Sequence, residues 1–98
     1  MYKMSDFEDD LMELIELCEK ELKKRIEQKQ QDYIDMFLDI ILPELKKLLN
    51  ETQSGAITFT PKKDRRLASA YWLTDGWSFN VGLDQKIISI QNHYRELK

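Results

Sequence analysis

From Phe7 onward the apolar residues fall at three- and four-residue steps. Phe7, Leu11, Leu14, Ile15, Cys18, Leu22 and Ile26 share one face of a helix. Ser5 with Glu8 three residues later forms a capping-box pattern at its start. A polar stretch, residues 27–31, interrupts the stripe before Ile34, Phe37, Leu38, Ile41, Leu45, Leu48 and Leu49 resume it. That break predicts a helix–helix turn with Asp32 as the N-cap of the second helix. No glycine or proline occurs between Ser5 and Leu42, so one continuous helix is the rival reading. Pro43 is expected to kink the second helix rather than end it, because the apolar period continues to Leu49 and the carbonyl freed at Asp39 can face water. Gly55 then offers an exit.

Beyond Ala56 the period changes from helical to alternating. Asp75-Gly76 between two alternating runs is a strong hairpin signal, and a two-residue type I′ loop would set Trp72 opposite Phe79 and Ala70 opposite Val81. Pairing Thr60 with Leu67 across residues 61–66 adds a strand with Phe59 and Ile57 on the same apolar face. A fourth strand over residues 86–91 fits that face through Ile88 and Ile90. Its competitor is a short C-terminal helix from Asp84, since Ile87, Ile90, Tyr94 and Leu97 also keep helical spacing. The fold class expected is therefore α+β: an N-terminal helical hairpin on a three- or four-stranded antiparallel β-meander. It forms a single domain over residues 1–98, with a helical half at 5–52, a sheet half at 56–91 and a tail at 92–98.

Composition agrees with one folded domain. At 98 residues the chain supports one core. Its 42% hydrophobic and 34% charged residues are too apolar for a disordered segment and too charged for a membrane span. With no signal-like or membrane-spanning run, a cytoplasmic location is expected. Cys18, the single cysteine, lies on the apolar stripe and reads as a buried thiol.

Charge changes the picture more. The net charge is only −3, yet the first nineteen residues hold Asp6, Glu8, Asp9, Asp10, Glu13, Glu16 and Glu19 against Lys3 alone, while the end of the chain is mildly basic. Much of this order suits the dipole of the first helix, acidic at the start and basic at the end. What remains is a row at helical spacing, Asp9, Glu13 and Glu16, expected to be exposed and able to meet a basic protein surface. The loop at residues 61–66 carries Lys62, Lys63, Arg65 and Arg66, four cations able to grip phosphate, with Tyr71 on the outer sheet face available for stacking on a base.

Catalytic chemistry finds little footing. His93 is the single histidine, and the three glycines form no phosphate-cradling loop. No ligand set for a metal and no nucleophile with an adjacent base can be assembled, so no cofactor and no enzymatic activity are expected. The leading expectation is a small acidic protein-binding module of inhibitor, antitoxin or immunity type. A phage anti-defence inhibitor shares this profile of size and charge. The alternatives are a nucleic-acid accessory module using the basic loop and an assembly protein that homodimerises through its helices.

Overall fold

The computed structural model describes residues 2–97, and the first and last positions of the single-domain reading lie outside them. Helix α1 spans Met4–Glu27 and α2 spans Gln31–Met36. A π-helical turn, Phe37–Ile41, leads directly into α3, Leu42–Ser54. After two single turns of 3-10 helix, α4 (Ala68–Thr74) and α5 (Val81–Glu96) complete the chain. Helices α3 and α5 pack on α1, and α4 packs on α5 and the π-helical turn.

The first half follows its apolar period. Phe7, Leu11, Leu14, Ile15 and Cys18 are buried, so the stripe of α1 is covered within one chain. The helix begins two residues earlier than Ser5 suggests: Lys3 is the N-cap, and its N–H donates to the Asp6 carboxylate at 2.8 Å. Ile26, in its last turn, is exposed and not part of the core. Lys29 adopts φ 57°, Gln30 N–H donates to Arg25 O at 3.1 Å and Lys29 N–H to Ile26 O at 3.0 Å. This crossed pair is a Schellman motif, which satisfies the last carbonyls and turns the chain without glycine. The N-cap of α2 is accordingly Gln30, and Asp32 sits inside its first turn.

Pro43 is accommodated by the π-helical turn. Leu42 N–H reaches back five residues to Phe37 O, and the following residue, which has no N–H to give, falls in the first turn of α3. The buried pairs Met36/Phe37 and Ile41/Leu42 are five residues apart, whereas Leu38 is exposed. That step is the signature of the wider turn, and it shifts the phase expected from a strictly α-helical repeat.

The second half corrects the α+β expectation: there is no strand or sheet among the described residues. Type I′ geometry needs positive φ at both central residues, but Asp75 has φ −87° and only Gly76 is left-handed at +98°. Trp77 N–H donates to Trp72 O at 3.1 Å and Gly76 N–H to Leu73 O at 3.3 Å. The Asp75-Gly76 pair is thus a second Schellman motif, closing α4 rather than joining two strands. Trp72 and Phe79 are not cross-strand partners. Phe79 packs on Phe37 with ring centroids 5.0 Å apart. Phe59 and Val81, both expected on the core face of the meander, are 84% and 72% exposed. The region expected as the fourth strand is helical: the Asn80 side chain caps α5 by accepting Leu83 N–H at 2.8 Å, and Leu83, Ile87, Ile90 and Tyr94 are buried at steps of four, three and four.

Why α4 is a helix is answered from outside it. The Glu44 carboxylate on α3 accepts Ala68 N–H at 2.7 Å and Ser69 N–H at 3.3 Å, and the Ser69 hydroxyl donates to the same carboxylate at 3.3 Å. Gln91 of α5 accepts Leu67 N–H at 2.6 Å. These bonds satisfy the N–H groups of Leu67, Ala68 and Ser69 at the start of the helix and place a negative charge at its positive end. Glu44→Ala should lower stability by about 0.5–2 kcal/mol, the usual cost of a lost N-cap. Equilibrium urea melts check this, and an unchanged midpoint would contradict the capping role.

Candidate functional site

Between α4 on one side and α2 with the π-helical turn on the other lies an open cleft of about 460 Å³. Its aromatic wall follows from the second Schellman motif, which brings the residues at its two ends into contact. Those residues are Trp72 and Trp77, edge to face with centroids 6.3 Å apart. Tyr33 meets the Trp77 ring at 5.2 Å and Phe79 at 5.9 Å, so an aromatic chain runs from the surface to the core. The opposite wall carries Asp32, Asp35 and Asp39 beside Met36 and Ile40. Asp35 accepts a hydrogen bond from Gln31 at 2.8 Å. None of the three carboxylates has an ion-pair partner among the described residues.

The residues expected to bind partners are scattered instead of gathered. Asp9, Glu13 and Glu16 are all exposed on α1, but Glu13 pairs with Lys86 of α5 at 2.9 Å and Glu16 with Lys20 at 3.5 Å. Two of the three carboxylates in the row are paired. Of the basic loop, Lys62, Lys63 and Arg66 are exposed while Arg65 is 3% exposed. Its guanidinium donates to Thr60 O at 3.0 Å, to Tyr94 O at 3.2 Å and to Leu97 O. Arg65 therefore caps the carbonyl end of α5, where a cation is favoured, and is withdrawn from any phosphate grip. Tyr71 is 64% exposed, on a helix and not on a sheet face.

Sequence reasoning passed over Asp32, Asp35 and Asp39, although their steps of three and four put them on one helical face. Asp32 was absorbed as a cap. In the hairpin reading nothing places Trp77, just after Asp75-Gly76, near them.

A second polar node is structural. Glu21 is buried and pairs at 2.7 Å with the partly buried Arg25. Asn80 donates to Glu21 at 2.6 Å, Arg25 donates to Phe79 O, and the Arg25 guanidinium lies 4.2 Å from the centre of the Tyr33 ring. Every charged atom set is answered by a partner, as burial requires. This node fixes the start of α5 on α1.

No family model, curated protein or solved structure matches the chain. Among the described residues no group of three His, Cys, Asp or Glu side chains is placed to hold a metal ion, and no helix is long and apolar enough to cross a membrane.

Two measurements test these placements. Arg65→Met should cost about 1–3 kcal/mol by orphaning buried carbonyls, whereas Lys62→Ser and Lys63→Ser should leave the urea midpoint where it is. Equal effects would return Arg65 to the surface. Cys18 is fully buried, and burial first, then Glu19 and Glu21, pushes its thiol from 9.0 up to about 12. Between those values the folded chain holds a proton that the unfolded chain has released, so stability should fall as pH rises above 9. Cys18→Ala should flatten that alkaline slope in melts across the window. An identical slope in both proteins would show that the thiol is not its source.

Proposed function

We propose that the protein is a non-enzymatic protein-binding module of inhibitor, antitoxin or immunity type, which covers a basic surface of its partner with the face that holds the α2–α4 cleft. The observation that carries this reading is the set of three carboxylates, Asp32, Asp35 and Asp39, without ion-pair partners among the described residues and facing Trp72 and Trp77. Tryptophan and uncompensated charge side by side supply the two ingredients of a specific interface. An aromatic anchor can be desolvated, and a field of one sign speeds encounter and orients it. The cleft is also held rigidly, because Glu44 and the Gly76 motif fix α4 at both ends. Little ordering entropy is then lost on binding.

The basic-loop alternative is weakened by the burial of Arg65, which leaves three exposed cations interrupted by Asp64. Polylysine serves as a stand-in for a basic partner surface, with a mixed-sequence DNA duplex as the opposing probe. The protein should bind polylysine with an affinity that falls with salt. Changing Asp32, Asp35 and Asp39 to Asn should slow association more than neutralising Asp9, Glu13 and Glu16. A salt-sensitive gel shift with the duplex, abolished by Ser at Lys62, Lys63 and Arg66, would overturn the proposal.

A further inference from the structure

The geometry points to the occupant of the cleft: a basic helix of a partner protein, carrying Arg or Lys at positions i, i+3 or i+4, and i+7. This rests on the protein-binding reading above and adds the form of the ligand.

Asp32, Asp35 and Asp39 succeed one another at steps of three and four along one helical rod, from α2 into the π-helical turn. At a rise of 1.5 Å per residue the row is about 10 Å long. Cations repeating at the same steps on a second helix have the same length and sit on one stripe, so each can reach a carboxylate without bending either backbone. An extended strand, at about 3.3 Å per residue with alternating faces, meets such a row with every second residue and outruns it within four residues.

The opposite wall selects for the same ligand. Trp72 and Trp77 are partly buried, their outer surfaces are open to the cleft, and indole faces attract cations. Arginine suits both walls at once, since its planar guanidinium stacks on indole while its edge donates to carboxylate. Met36 and Ile40, beside the aspartates on the same wall, are apolar and can take the aliphatic stems of such side chains. A groove between two helices that receives one stripe of a third is a known form of peptide recognition. Phosphate is repelled by all three carboxylates, which disfavours nucleic acid here.

The chain holds two tryptophans, and both line the cleft, so selectively excited tryptophan emission reports on this site. The intact protein is titrated with three synthetic helical peptides of equal length. One carries arginines at i, i+4 and i+7 beside a leucine stripe, one has the same residues shuffled around the helix, and one has glutamate in place of arginine. The expected result is a saturable emission shift with the first peptide, at least tenfold tighter than with the second, weakened by salt and absent with the third. The triple variant Asp32→Asn, Asp35→Asn, Asp39→Asn should lose at least tenfold in affinity while keeping its far-UV circular dichroism. If the variant unfolds, Asp39→Asn alone should still weaken the first peptide more than the second. Equal affinity for patterned and shuffled peptides would overturn the helix inference while leaving the basic-partner reading in place. Failure of the protein to bind either peptide or polylysine would overturn both. An emission shift on raising protein concentration without peptide, with a dimer in sedimentation, would assign the cleft to a second copy and overturn the inference.

Discussion

A carboxylate from the first half of the chain holds the second half in shape. Seven residues make a helix too short to persist in water, because the nucleation cost is not recovered in two turns. Yet α4 stands, with Glu44 bonded to its first two N–H groups and Gly76 closing its last carbonyls. Once α4 is fixed, Trp72 and Trp77 have a defined place, and the cleft against Asp32, Asp35 and Asp39 follows. Glu44 lies one residue beyond Pro43, in the first turn of the helix that the π-helical turn introduces. The proline, the wide turn, the carboxylate and the tryptophans are therefore one chain of consequences.

The same logic governs charge. Three of the ionic side chains that look like surface features in the sequence are structural. Arg65 closes the carbonyl end of α5, and Glu21 with Arg25 ties the opposite end of α5 to α1. Such groups stabilise only because each is fully answered; removing one partner would leave a buried charge exposed to a low dielectric. What is left over for a partner is smaller than the raw asymmetry of charge suggests. On α2 and the π-helical turn, Asp32, Asp35 and Asp39 have no ion-pair partner among the described residues, whereas Glu13 and Glu16 of the α1 row are paired.

The helices of the first half are legible because each carries an apolar stripe that is largely buried, although Ile26 and Leu38 fall outside the core. The turn at residues 28–30 falls inside the polar stretch that marks it, and Cys18 is buried where its neighbours put it. The second half was misread for a definite reason. Short runs such as Ala68-Ser69-Ala70-Tyr71-Trp72 satisfy both a two-residue and a helical period, and Asp-Gly closes either a hairpin or a helix. The contacts that decide between them come from Glu44 and Gln91, twenty or more residues away. Of the cleft, the carboxylate row can be found by its spacing, but its aromatic wall is made by the helix-closing Gly76 motif, which the hairpin reading replaces.

The most direct test of this account is the set of proton–proton contacts made by the two indoles in solution. Nuclear Overhauser effects should link the Trp72 and Trp77 rings to each other and to the side chains of Met36 and Ile40, with sequential amide–amide contacts running through Ala68–Thr74. Cross-strand α-proton contacts between the segments around Trp72 and Phe79, with the indoles distant from Met36 and Ile40, would restore the hairpin and abolish the cleft.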